Sequence, residues 1–77
     1  MQVHTIGVDI AKNVFQIHAV DADEKVVLTR QLRRKQVLPF FEKLSSCLVG
    51  MEACATAHFW AWELIKLGHT VRLIPPV

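Results

Sequence analysis

The spacing of hydrophobic and polar positions changes its period along the 77-residue chain. In residues 3–9 both alternating sets are apolar or small, with Val3, Thr5 and Gly7 on one side and His4, Ile6 and Val8 on the other. That pattern predicts a central strand buried on both faces. Residues 14–20 predict a second, half-covered strand in which Phe15, Ile17 and Ala19 oppose Val14, Gln16, His18 and Val20. Asp21-Ala22-Asp23-Glu24 is a polar turn. Residues 25–32 then read as a third strand, with Val26 and Leu28 set against Lys25, Thr29 and Gln31. Short strands joined by tight turns make an antiparallel meander.

Beyond the meander, Val37, Phe40, Phe41 and Leu44 recur at spacings of three and four, which predicts a helix over about residues 35–45. Pro39 fits it only in the first turn, where backbone N–H groups have no partner within the helix. Cys47-Leu48-Val49-Gly50-Met51 is short enough to favour a buried strand, with Glu52 at its end. Thr56 is the expected N-cap of a second helix whose apolar face carries Ala57, Trp60, Ala61, Leu64 and Ile65, and Gly68 is its stop. A last strand covers residues 70–74, ended by Pro75-Pro76. The order is β-β-β-α-β-α-β, an α/β arrangement in which right-handed crossovers set the fourth strand parallel to the first and beside it. Residues 1–77 form one domain without repeats or linkers.

Composition narrows the class. At 52% hydrophobic and 21% charged the chain is not disordered, and no apolar run approaches the roughly 18 residues of a membrane span. Residues 1–12 lack the basic start, apolar stretch and cleavage site of a secretory signal. A cytoplasmic setting is therefore expected, with Cys47 and Cys54 as free, packed thiols. A chain of this size buries only about 60% of its unfolded surface. The apolar excess suggests a sheet covered on both faces, or part of a larger fold. A formal charge of +2 is too small to identify a partner.

Two carboxylates stand apart from the rest. Asp9 and Glu52 each end a hydrophobic strand, and a buried carboxylate needs a proton, a hydrogen bond or a cation. The topology brings both to the carboxyl ends of neighbouring parallel strands, where open α/β sheets place ligands. Their mutual repulsion would be relieved by a divalent cation, and oxygen-only donors suit Mg²⁺ or Mn²⁺. The plainer alternative is that Asp9 caps the turn into Lys12-Asn13 and Glu52 opens the loop before the second helix.

The run Gly7-Val8-Asp9-Ile10-Ala11-Lys12, followed by Val14-Phe15 and His18, resembles the start of the DEDD transposases of insertion sequences. This is the family numbered one hundred and ten, which also contains the Piv-type DNA invertases. Val49-Gly50-Met51-Glu52-Ala53-Cys54, with His58 and Trp60, resembles its second acidic block, and Gly68-His69, Val71-Arg72-Leu73 and Pro75-Pro76 the segment after it. The resemblance implies a ribonuclease H-like fold similar to the Holliday-junction resolvase RuvC. Its mixed five-stranded sheet would have the order 3-2-1-4-5 and be incomplete at the C-terminus, residues 1–77 being the N-terminal portion of the catalytic domain. On this resemblance Asp9 and Glu52 match the first two catalytic acids and metal ligands. The other two lie on a later helix, and no Asp or Glu follows Glu63 here. The family implies DNA transposition by metal-dependent strand cleavage and transfer, a separate C-terminal domain with a serine implicated in strand exchange, and in some members a structured guide RNA from the element. The fragment alone is expected to be inactive and, lacking that helix, to form homo-oligomers through exposed apolar surface.

Arg30, Arg33, Arg34 and Lys35 form a basic cluster, and Lys12 follows Asp9 by three positions. These are the candidates for phosphate contacts with nucleic acid, against the alternative of a charged edge strand that discourages pairing. Cys54 and His58, four apart, are a weak zinc signal without a recognisable second pair. Trp60 is expected in the core, with Trp62 either a cover for the absent neighbour or a partner surface. Actin-like and sugar-kinase ATPases also begin with a Gly-x-Asp strand, but they need a glycine-rich turn that Ile10-Ala11-Lys12-Asn13 does not offer. A truncated module that only folds and associates is the third possibility.

Overall fold

Alternating side chains and two tight turns build the first half of the sheet in the computed structural model, which describes residues 3–75. Met1 and Gln2 of the leader reading, and Pro76 of the terminating pair, lie outside the described residues. Strands β1 (Thr5–Ile10), β2 (Val14–Val20) and β3 (Val26–Arg33) form the expected antiparallel meander. The first turn closes through Ala11 N–H donating to the Val14 carbonyl at 2.9 Å. In the second, the Asp21 carboxylate accepts from the amides of Asp23 and Lys25 at 2.9 and 3.0 Å, an Asx turn that accounts for this acid. β3 carries a register shift opposite Ala19 and Val20, so that Val26 pairs with Val20 while Leu28 pairs with Ala19. Val26 and Leu28 therefore do not share a face as a strict period of two requires, and Val26 is exposed.

Helix α1 (Arg34–Glu42) begins one residue before the expected start and ends three before the expected end. The Gln36 side-chain oxygen accepts from the Arg33 amide at 2.8 Å and anchors the first turn. Val37 and Phe41, one turn apart, bury against the sheet. Pro39 lies inside the helix rather than in its first turn, where it supplies no N–H for the Lys35 carbonyl. Beyond Glu42 the Lys43 and Leu44 amides both turn back to the Phe41 carbonyl. Strand β4 (Leu48–Glu52), helix α2 (Ala57–Lys66) and strand β5 (Thr70–Ile74) follow. Thr56 occupies the N-cap position of α2 but makes no capping hydrogen bond, its backbone being helical rather than extended. Gly68 does end the helix, at φ 99°, a conformation costly for a residue with a Cβ.

The five strands form one sheet in the order β3-β2-β1-β4-β5, with β4 parallel to both β1 and β5. Its registers place Ile6 beside Ala19 and Val49, and Val8 beside Ile17 and Met51. These side chains face Val37, Phe41, Ala57, Trp60 and Leu64 of the helices in a single core. Each fully buried aliphatic or aromatic group there contributes on the order of 1.5–3 kcal/mol. The alternate positions, among them Gly7, Asp9, His18, Glu52 and Arg72, are exposed. β1 is thus central in the sheet but covered on one face, because Thr5, Gly7 and Asp9 offer no apolar surface for a second layer.

One polar side chain belongs to the core. The His69 ring is buried; its Nε2 donates to the Phe41 carbonyl at 2.8 Å, and Nδ1 accepts from the Cys47 amide at 3.2 Å. It ties the end of α1 to the starts of β4 and β5. Replacing His69 by Ala leaves the Cys47 amide without its partner and opens a void, and should cost about 2 kcal/mol. For a domain of this size that corresponds to a melting temperature lower by roughly 8–16 °C. Thermal denaturation followed by circular dichroism measures this, and an unchanged midpoint would show that the tie contributes nothing.

Candidate functional site

β1, β3, β4 and β5 run parallel to one another, so their carboxyl ends reach the same edge of the sheet. The register pairs Gly7 with Gly50 and Val8 with Met51. Asp9 and Glu52 are the next residues on these two strands, which neighbouring-strand geometry spaces about 4.8 Å apart. Both side chains belong to the face the helices leave open, with the two glycines preceding them on that face.

Their environment differs from the expected one in burial. Asp9 and Glu52 are exposed, so water rather than a buried partner solvates them. Among the described residues neither carboxylate accepts a hydrogen bond or joins an ion pair. Asp9 does not cap the β1–β2 turn, which closes through its own backbone. Gln16 lies opposite Asp9 across the β1–β2 pair, and Ile74 opposite Glu52 across β4–β5. The arrangement offers two unengaged, oxygen-only donors to a hard cation. No group of three or more His, Cys, Asp or Glu residues able to hold a metal occurs among the described residues.

Basic residues gather at the same edge, around the entry to α1. Arg33 ends β3, and Arg34 and Lys35 open α1. A cleft of about 400 Å³ is lined by Arg33, Arg34, Lys35 and Gln36 with Asn13 of the β1–β2 turn. A second, of about 250 Å³, lies between that turn and the β4–α2 loop and places Lys12 beside Arg34. Four of the five predicted cations thus surround one end of the sheet. Arg30 meets only Lys35 of these, the two lining a further cleft of about 420 Å³ along α1. It sits within β3 on the helix-covered face, opposite Ile17, with its guanidinium 5.8 Å from the centre of the Phe40 ring.

The remaining candidates resolve into packing and surface. Trp60 is buried edge-on against Phe15, with ring centroids 4.9 Å apart, while Trp62 is 69% exposed. Ile65, expected on the buried stripe of α2, is exposed instead. With Phe59 and Trp62 it gives the helix an outward apolar surface, the kind of surface on which the expectation of self-association rests. Cys47 is buried, which pushes its thiol above the usual value and keeps it protonated and unreactive at neutral pH. Cys54 is exposed rather than packed. His69 was legible only as part of a turn, because its partners lie 22 and 28 positions away. No helix among the described residues is long and apolar enough to cross a membrane.

Comparison with known proteins places these residues in context. Over 76 residues and 99% of its length the chain is 60% identical to a protein of Pseudomonas aeruginosa described as "Probable family 20 transposase". It is 40% identical over 74 residues to the transposase for insertion sequence element IS1328 of Yersinia enterocolitica, and 38% identical over 74 residues to that for IS1111A of Coxiella burnetii. The chain spans 22%, 22% and 20% of these three relatives. No family model and no solved structure matches it.

Because Asp9 and Glu52 are exposed and unpaired, they carry none of the fold. Asp9→Asn and Glu52→Gln should each leave the stability of the chain within about 0.5 kcal/mol of the parent. Urea denaturation of the three proteins decides this, and a loss above about 1 kcal/mol for either variant would give that carboxylate a structural role.

Proposed function

From its similarity over 99% of its length to a protein described as a probable transposase, and over 96% to two transposases of insertion sequence elements, we propose that the chain is the segment of a DNA transposase that supplies two carboxylates of its catalytic centre. The proposed fold is ribonuclease H-like, in the RuvC manner. What supports that finer assignment is the combination of the strand order β3-β2-β1-β4-β5 with acids at the ends of the two middle parallel strands. The observation that carries the functional reading is the pairing of β1 with β4, which sets Asp9 and Glu52 side by side on an open face with no competing partner.

The residues fit a divalent cation as two of its ligands. Asp9 and Glu52 would hold Mg²⁺ or Mn²⁺, with further ligands from outside these 77 residues, and the bound cation would stabilise charge on the oxygens of a phosphodiester. The chain's own contribution is positional. Parallel strands fix the two carboxylates on a rigid sheet rather than on loops, and their lack of hydrogen bonds keeps both available. Lys12, Arg33, Arg34 and Lys35 would attract and align the DNA backbone along the edge, with Arg30 a more distant contact. A nucleotide-hydrolysing reading finds no comparable support: the β1–β2 turn contains no glycine, and its Ala11 amide is engaged by Val14.

In a full-length transposase carrying this segment, Asp9→Asn and Glu52→Gln should each lower excision and insertion at least about 100-fold, as expected when a group holding transition-state charge is neutralised. The 77-residue chain alone should not cleave DNA in the presence of Mg²⁺. A plasmid-based transposition assay and a nicking assay measure the two outcomes. Wild-type transposition by either variant would remove the metal assignment, and robust Mg²⁺-dependent nicking by the chain would show that two carboxylates suffice.

A further inference from the structure

Three clefts around the entry to α1 share one residue, Arg34. The cleft of about 360 Å³ is lined by Arg34, Thr56, Phe59 and Trp60. The cleft of about 250 Å³ adds Lys12, and that of about 400 Å³ adds Arg33 and Lys35. Arg34 and Thr56 line both of the first two, and Arg34 also lines the third, so the clefts adjoin at Arg34 as an interrupted groove. No carboxylate lines any of them. The groove is positive along most of its course and ends in an aromatic slot.

The slot is built rather than incidental. The Trp60 ring is fixed edge-on by Phe15, and Phe59 stands edge-on to Trp60 with centroids 5.1 Å apart at 87°. Trp60 is 5% exposed and forms the floor, while Phe59 is 58% exposed and offers a free face. The Arg34 guanidinium lies over the Trp60 ring, 5.8 Å from its centre, within the range of a cation–π contact. The cleft that these residues line offers an aromatic ligand the exposed Phe59 ring beside the Arg34 guanidinium, with the remaining cations nearby for an attached anion.

We infer that this groove seats a single-stranded nucleic acid, with one unpaired base in the slot formed by Arg34, Phe59 and Trp60 and its flanking phosphates on Lys12, Arg33 and Lys35. Aromatic faces joined to a cationic track are what unpaired strands require, since every base has a face to stack and every linkage a charge. Duplex DNA presents phosphates to the same cations but keeps its bases inside the stack. The inference rests on the transposase reading and deepens it. The groove includes Ile10 and Cys54, close in sequence to Asp9 and Glu52, so a strand held there lies at the same edge of the sheet as the carboxylates.

The test uses fluorescence anisotropy with labelled 20-mers, single-stranded DNA, single-stranded RNA and duplex DNA, and a 2-aminopurine base in the single strand to report stacking. The parent chain should prefer single strands and change the 2-aminopurine signal. Phe59→Ala, and Phe59→Leu, which keeps the apolar bulk, should weaken single-strand binding about 5- to 100-fold and leave duplex binding within about twofold. Arg33→Ala and Lys35→Ala should weaken both and lower the salt dependence by about one unit of slope each. Equal affinity of the DNA and RNA strands supports a seat for the base and phosphate shared by both, and a preference for one identifies its source. If Phe59→Leu, with a circular dichroism spectrum like the parent's, binds single strands as tightly as the parent, the slot assignment fails while the basic edge stands. Absence of salt-dependent binding to any of the three probes would overturn both.

Discussion

The parallel pairing of β1 with β4 is the contact on which the rest of the structure depends. It joins segments 43 positions apart, as in the Gly7–Gly50 pair, so it must offset the entropy of closing a long loop before its own hydrogen bonds form. The apolar rungs on its inner side, Ile6 with Val49 and Val8 with Met51, supply that compensation. Once the pair forms, topology fixes the remaining layers. The connection from β3 to β4 and that from β4 to β5 move across the sheet in the same direction, and both join parallel strands. Right-handed crossovers then put α1 and α2 on the same face, where they meet in one core. The opposite face is left open for the same reason, and Asp9 and Glu52 stand on it.

Most of the secondary structure was legible because the responsible patterns are local. The period-two run of Phe15, Ile17 and Ala19 fixed the inner face of β2, and Gly68 marked the end of α2 through its backbone freedom. Errors arose where a residue answers to something beyond its neighbours. Val26 changed faces because of the shift in register opposite β2. Pro39 was tolerated inside α1 because Val37 and Phe41 bury on either side of it in sequence and hold the helix to the sheet. Ile65 satisfied the helical spacing of a core residue, yet Leu64 beside it takes the buried position. On the site, the juxtaposition of Asp9 and Glu52 followed from strand order, while their exposure did not. A strand that reads as apolar or small on both faces cannot distinguish small because buried from small because uncovered.

The His69 tie shows a kind of information that pattern alone does not contain. Its two ring nitrogens serve different elements, Nε2 the end of α1 and Nδ1 the start of β4, and the residue itself introduces β5. Donating at one nitrogen and accepting at the other requires the neutral ring with its proton on Nε2. The same histidine type that suggests metal binding in a sequence is here consumed by backbone groups, and the buried thiol of Cys47 lies 3.5 Å from its Nδ1. Scattered histidines become interpretable only when their long-range partners are known.

Charge is segregated across the sheet edge rather than across the molecule. The net charge of +2 conceals two opposite fields at one end of the fold, carboxylates on the open face and Lys12, Arg33, Arg34 and Lys35 around the entry to α1. A polyanion approaching that end is attracted by one side and repelled by the other, so its backbone settles along the cations. Crossing toward Asp9 and Glu52 then requires something to offset their charge, which the proposed divalent cation would do at the point where the repulsion is greatest. On the proposed reading, this placement of the two fields at one end of the sheet would make approach of nucleic acid and occupation of the carboxylate pair interdependent, with the β1–β4 pairing holding the carboxylates in place.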